Sequence, residues 1–272
     1  MERIGRFVIR RFLTESIFAR LYLVFDPALE REVVIKLFAV DRAHPPEPFA
    51  YDEWARRFLA EGRVMAVLDH PNILSIHEFG RLGTGEPFHV LPLMHCNLPS
   101  LIGFDLDDDE AAQAPERERP RRLPVAQALA LLRQILAALA YLHRRGVVHR
   151  DVKASNVLLT SRAEGIVRLC DFGMAKVGSA RDLQPGAWIG TRRYISPEQK
   201  RDSASATGLS DVYSAGVLAF RMLTGRLPGE DGLSADALCP EVPARLASLV
   251  SWAMSPDPAA RPSAEAFLAE LG

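Results

Sequence analysis

The sequence predicts an α+β chain in which β-rich runs with one amphipathic helix come first and mainly helical patterns follow. Two observations carry this. Before residue 94 the apolar residues fall in short runs rich in Val, Ile, Phe and Tyr, bounded by Gly and Pro, which is the pattern of strands and turns. After it, Leu129, Leu132, Ile135, Leu136, Leu139 and Leu142 fall on one helical stripe, and helical patterns return near the C-terminus. With 272 residues, 48% of them apolar, the chain can bury a sizeable core as one large domain or two lobes.

Charge and cysteine content narrow the function classes. Lys plus Arg (33) nearly balance Asp plus Glu (34), so no net field calls for nucleic acid or an anionic membrane surface. Cys96, Cys170 and Cys239 are odd in number and far apart, without the paired spacing of a zinc site or a disulfide framework. The first residues carry charge and lead into strand-like residues without the apolar core of a signal peptide, and the longest apolar run is about eight residues against the roughly 20 that span a bilayer. The expectation is a soluble, cytoplasmic protein without a membrane segment.

In chain order, Phe7-Val8-Ile9, Leu21-Tyr22-Leu23-Val24 and Glu32-Val33-Val34-Ile35-Lys36-Leu37 predict a three-stranded antiparallel meander, with Asp26-Pro27 as a turn. Lys36 on an apolar strand reads either as a snorkelling surface lysine or as a functional cation. Residues 49–68 predict an amphipathic helix stopped by Pro71, on which Glu61 is either a solvated acid or a partner for Lys36. At about 4 Å and an effective dielectric near 20, such a pair attracts by roughly 4 kcal/mol before desolvation. Residues 73–78 and 88–93 predict two more strands joined through Gly80-Arg81-Leu82-Gly83-Thr84-Gly85. Pro92 ends the second, leaving backbone groups near Leu93-Met94 for an adenine edge or for an ordinary strand end. Residues 105–122, acidic and then proline-containing, predict a solvated, mobile insert, with a docking surface as the lesser option. Residues 123–145 predict a long helix stopped by Gly146.

The chemistry concentrates in His149-Arg150-Asp151-Val152-Lys153-Ala154-Ser155-Asn156. A carboxylate, an ammonium and a carboxamide fall within six residues, and a second carboxylate follows in Asp171-Phe172-Gly173. An acid that takes a hydroxyl proton, a cation beside it and two oxygen ligands for a hard divalent ion suit phosphoryl transfer, which depends on positioning and charge neutralisation. The intervening runs 157–159 and 167–170 predict a hairpin that brings Asn156 and Asp171 together. Residues 174–194 read as loop, followed by helical patterns at 210–224, 243–254 and 263–271.

Taken together the landmarks resemble those of eukaryotic-type (Hanks-type) serine/threonine protein kinases of bacterial kind. Val34-Ile35-Lys36 resembles the third-strand lysine motif, Glu61 its helix partner, residues 149–156 the catalytic loop and Asp171-Phe172-Gly173 the metal motif. Ser196-Pro197-Glu198 resembles the end of the activation segment, and Asp211-Val212-Tyr213-Ser214-Ala215-Gly216 and Arg261 the later landmarks, all in the family's order.

The resemblance implies a bilobal fold, with a small antiparallel β-sheet lobe carrying one helix and a larger mainly α-helical lobe. Residues 1–94 would form the first lobe and hinge and 95–272 the second, with the activation segment at 171–198. It implies ATP and Mg²⁺ as cofactors and a protein substrate with a Ser or Thr hydroxyl, autophosphorylation included. Carried over, Lys36, held by Glu61, contacts the α- and β-phosphates, Asp151 orients or accepts the substrate proton, and Lys153 neutralises the moving phosphoryl group. Asn156 and Asp171 bind magnesium. Leu13, Leu21, Val34 and Leu158 enclose adenine, with Leu91 at the back wall and Met94 offering backbone hydrogen bonds. Arg150 implies a phosphate-held loop with Ser179 and Thr191 as candidates, Thr191 having the competing role of bracing Asp151 and Lys153. Glu198 and Arg261 are expected to form a buried pair.

One stretch departs from the pattern. At the three positions where the family has glycines over the phosphates, the chain has Thr14, Ser16 and Ala19. Side chains there either carry roughly 1 to 3 kcal/mol of strain each or force another loop shape. A pseudokinase scaffold that binds nucleotide weakly is therefore the alternative to an active kinase.

Overall fold

A computed structural model of the chain describes residues 2–161, 165–178, 193–229 and 231–272. They form two compact units, residues 1–69 with 73–94, and residues 70–72 with 95–272.

The first unit is a six-stranded antiparallel sheet with one helix. Its strands are β1 (Arg3–Ile4), β2 (Phe7–Glu15), β3 (Ala19–Asp26), β4 (Arg31–Phe38), β5 (Glu78–Arg81) and β6 (Pro87–Pro92), in spatial order β1-β2-β3-β4-β6-β5. The helix α1 spans Tyr51–Val67. Side chains alternate across a strand, so β4 divides its residues between two environments. Val33 and Ile35 join Ile4, Phe7, Val24, Phe88 and Val90 in an apolar cluster. Lys36 and Phe38 point the other way, where Phe38 meets Phe58 and Tyr51 of α1. The buried residues of α1 include Trp54, Phe58, Glu61 and Met65, one stripe at helical spacing, and this registers Glu61 against the strand face that carries Lys36.

One strand boundary differs from the sequence expectation. Ile73 and Leu74 are buried and Ile73 forms an isolated bridge, but the continuous strand is Glu78–Arg81, and Gly80 and Arg81, expected in a turn, are strand residues opposite Phe88 and Pro87. A Cβ at Gly80 would lie 2.2 Å from the Phe88 ring, so this glycine serves close packing within a strand.

The second unit is mainly helical. Its elements in order are β7 (Cys96–Asn97), α2 (Pro99–Ile102), α3 (Asp108–Gln113), α4 (Val125–Arg144), β8 (Val147–Val148), β9 (Val157–Leu159), β10 (Val167–Leu169), β11 (Lys176–Val177), α5 (Pro197–Arg201), α6 (Gly208–Thr224), α7 (Ala235–Leu238), α8 (Ala244–Ala253) and α9 (Ala264–Glu270). By length and composition alone α4 could cross a bilayer, but Leu131, Leu132, Ile135, Leu136, Leu139 and Leu142 are buried in this unit. It packs on α6 and α9. Helix α6 starts at a capping box in which the Thr207 and Ser210 side chains exchange hydrogen bonds with backbone, and it ends at Gly225 in the left-handed region. Hairpin β9–β10 pairs Val157 with Leu169, and β7 adds to its edge.

The insert at 105–122 carries helical turns and is anchored at its start. Asp107 and Glu110 form a reciprocal capping box at the start of α3, and a short 3-10 turn follows at Glu116–Glu118. Arg221, fully buried on α6, donates to Asp105 Oδ1 at 2.8 Å and to the carbonyls of Ile102 and Phe104 at 2.9 and 3.0 Å. As the acidic composition suggests, Asp107, Asp109 and Glu110 are exposed to solvent, while an arginine more than 100 residues away holds the start of the segment.

Candidate active site

In the first unit Lys36 Nζ lies 2.8 Å from both Glu61 oxygens, and both residues are buried. Two charge-assisted hydrogen bonds set the position of the ammonium where a single exposed pair would leave it free to wander. The Phe18 ring lies 4.9 Å from Nζ and stacks on Trp54 of α1 with centroids 5.3 Å apart. Behind the pair is His89, directly opposite Lys36 in the β4–β6 register, fully buried and stacked on Phe58 at 4.1 Å. Burial, with the Lys36 charge in support, pushes the His89 imidazole down to about 3, so the ring is neutral.

The other residues of this unit assigned to the nucleotide lie on neighbouring strands. Leu21 faces Lys36 across β3–β4, and Val34 faces Leu91 across β4–β6. Leu13 is on β2 and Met94 follows β6 at the end of the unit. The hairpin that carries Thr14, Ser16 and Ala19 closes through Ser16 N–H donating to the Ala19 carbonyl at 2.8 Å. Among the described non-glycine residues only Glu30, Arg150 and Asp171 have positive φ. The three replaced glycine positions therefore carry no left-handed strain, and the hairpin takes another shape, with Phe18 turned inward and 6% exposed.

In the second unit the chemistry is gathered at the end of β8. Asp151 Oδ2 is 2.8 Å from Lys153 Nζ and accepts from Asn156 Nδ2 at 3.0 Å, while the same Nδ2 donates to the Asp151 carbonyl at 2.8 Å. The Cys170 N–H donates to the Asn156 carbonyl at 3.0 Å, so the hairpin joins Asn156 to the residue before Asp171. Leu158 lies on β9 in this same unit. Burial raises the proton affinity of Asp151, Lys153 counters it, and the nearby Asp171 charge adds to it. A carboxylate tuned upward and held by a cation suits a proton acceptor in a buried site.

Two residues of this cluster, Arg150 and Asp171, have φ of 67°, which costs a non-glycine residue of order 1–3 kcal/mol. Tertiary bonds hold the first in place. Asp211, fully buried on α6, accepts from the N–H groups of His149 and Arg150, each at 2.8 Å, and from the His143 ring at 2.8 Å. The Gln199 side-chain amide donates from Nε2 to the Arg150 carbonyl at 2.8 Å and closes the other side. The roles of Asp211, Gln199 and His143 were not legible from spacing, although an acid on an otherwise apolar helix signals a required partner. Phe172 is buried beside the His149 ring, with centroids 5.0 Å apart. Glu198 and Arg261 meet in a bidentate pair at 2.7 and 2.8 Å. Ser179 and Thr191 lie outside the described residues.

This geometry accompanies a match of the protein kinase domain profile to residues 13–270. The chain belongs to the protein kinase family. Its kinship is with Hanks-type bacterial serine/threonine kinases. It is 34% identical over 233 residues to serine/threonine-protein kinase PrkC of Bacillus subtilis, a match covering 85% of this chain and 32% of that protein. It is 31% identical over 272 residues to serine/threonine-protein kinase PknA of Mycobacterium tuberculosis, covering 94% and 58%. The chain thus spans about a third to three-fifths of these relatives. The crystal structure of the Mycobacterium tuberculosis PknI kinase domain superposes with a TM-score of 0.67 at 29% identity, covering 99% of this chain and 96% of that one.

Proposed function

We propose that this kinase domain transfers the γ-phosphoryl group of ATP to Ser or Thr hydroxyls of protein substrates, and to its own. The observation that carries the reading is the Asp151 carboxylate, strained into place after Arg150 and held between Lys153 at 2.8 Å and Asn156 at 3.0 Å. A substrate hydroxyl approaching Asp151 would give up its proton there, and Lys153 would offset charge on the transferred group. Lys36, oriented by Glu61, would hold the non-transferred phosphates.

The donor set also suits a hard divalent cation. The Asn156 amide nitrogen is spent on Asp151, which turns its Oδ1 away as an oxygen donor, and Asp171 supplies a carboxylate. A hard divalent cation of the Mg²⁺ type needs only one or two protein oxygens when phosphates and water supply the rest. When bound, Mg²⁺ would neutralise phosphate charge. The scaffold alternative draws no support from relatives named as kinases.

The test is radiolabelled ATP with Mg²⁺ and a generic basic protein. Phosphate incorporation by the parent, lost in Asp151→Asn, supports the enzyme. No incorporation despite thermal stabilisation by ATP would overturn it.

A further inference from the structure

One histidine of the sheet in the first unit is packed into α1. His89 lies in β6, paired with Lys36 of β4 on one side and with Phe79 of β5 on the other, so its backbone is fixed between two strands. Its ring is fully buried, stacks on Phe58 with centroids 4.1 Å apart, and has the Phe79 ring 5.8 Å away. Neither ring nitrogen meets a partner at hydrogen-bond geometry among the described residues. A buried polar group left in that state costs free energy that an apolar side chain would not. What holds this ring is packing.

The ring fits a notch in the helix. Gly62 is buried in the interior of α1 and follows Glu61 directly. A Cβ at Gly62 would lie 2.7 Å from His89 Nε2, and 3.3 and 3.4 Å from Cδ2 and Cε1. Non-bonded atoms pack best at about 3.5–4.0 Å, so the ring occupies the space that any side chain at residue 62 would need. It has little freedom to swing clear, because Phe58 covers its face and its strand is flanked on both sides. Glycine weakens a helix interior, and a close approach of this kind is a physical reason for its presence. The helix position that seats the ring in the notch is also the one at which both Glu61 oxygens lie 2.8 Å from Lys36 Nζ.

We propose that His89 and Gly62 form a lock that sets α1 against the sheet, which makes His89 a positioning residue for Lys36. Lys36, Glu61, Gly62 and His89 all belong to the first unit. A side chain in the notch pushes α1 off the ring, and Glu61 moves with it as the adjacent residue of one helix. Hydrogen bonds weaken steeply with such displacement, so the Lys36 ammonium loses its fixed place. The lock rests on the reading of Lys36 as the cation that holds the ATP phosphates.

Calorimetric titration with ATP and Mg²⁺ tests it on the parent, Gly62→Ala, the double variant Gly62→Ala/His89→Val, and Lys36→Met with and without Gly62→Ala. Alanine is the better helix former, so propensity alone predicts a Gly62→Ala protein that binds ATP as the parent does. The lock predicts affinity lower by roughly ten-fold or more, the scale on which a misplaced positioning group acts. The double variant removes the ring and leaves a β-branched residue suited to a strand, and should recover most of the lost affinity. On top of Lys36→Met, Gly62→Ala should have no further effect, whereas a general loss of structure would add to it. Parent-like affinity in Gly62→Ala, a double variant no better than Gly62→Ala in folding and binding, or a full additive loss in the Lys36→Met background would each overturn the lock. If Gly62→Ala does not fold, the double variant decides: a folded protein that binds ATP supports the lock, and one that also fails to fold overturns it. Binding is read without turnover, so the two readings fail separately. Notch-dependent affinity in a parent that transfers no phosphate would keep the lock and sink the kinase reading, while transfer by a parent whose affinity is indifferent to the notch would do the reverse.

Discussion

The carboxylate of Asp211 holds the backbone of Arg150, accepting its N–H at 2.8 Å from a fully buried place on α6. The same carboxylate takes the preceding N–H, so one side chain stabilises the left-handed turn that presents Asp151.

Asp211→Asn keeps one acceptor oxygen and introduces a donor facing an N–H. Loss of a charge-assisted bond at a buried site costs roughly 1.5–3 kcal/mol. The expected result is a kcat at least about ten-fold lower with KM for ATP little changed, together with a lower Tm. An unchanged kcat in an equally folded variant would show that Asp151 needs no such support.

Glu198 and Arg261 are coupled through two short bonds, and Ser210 adds a third to Glu198 at 2.8 Å. Arg261→Leu strands a buried carboxylate and should destabilise by about 3–5 kcal/mol. Replacing both partners by Leu should cost less than the sum of the single changes, a difference that denaturant titrations in a double-mutant cycle measure directly.

Acid should weaken the fold in two steps. The His89 imidazole on β6, opposite Lys36 of β4 and close to Gly62 beside Glu61 on α1, is held near 3 against an ordinary 6.5. The folded state thus binds fewer protons than the unfolded chain, and stability is complete above about 6.5 and falls as pH drops, by about 2 kcal/mol at pH 5. His89→Leu should remove this slope between pH 7 and 5 in thermal melts. The second step belongs to Glu198. Burial alone would raise its carboxyl, but Arg261 and Ser210 prevail and bring it to about 2. Its contribution is present above about 4.5 and is lost as pH falls toward 2.

The phosphate-covering hairpin offers a test of its altered shape. Thr14, Ser16 and Ala19 replaced together by glycine should allow the backbone closer to the phosphates and tighten ATP binding, measured by calorimetry. The change should also cost about 0.5–1 kcal/mol for each position lying in a strand, since Thr14 is in β2 and Ala19 in β3. Level or weaker affinity would show that the inward Phe18, and not the missing glycines, governs access to Lys36.

Sequence by itself determined the α+β class and most of the strands and helices, and it singled out Lys36, Glu61, Asp151, Lys153, Asn156 and Asp171 as candidate site residues. Alternation on β4 and the stripe on α1 dictate which side chains share a face, and the spacing around hairpin β9–β10 dictates that Asn156 approaches Asp171. Local periodicity encodes such relationships. Only tertiary structure decided that Glu61 is a partner and not a solvated acid, that the insert rests on Arg221, and that Asp211 supports the strained Arg150. Each joins residues from about 25 to more than 100 positions apart through buried charge. Such pairings depend on which groups the completed fold removes from water, and no short window of sequence contains that information.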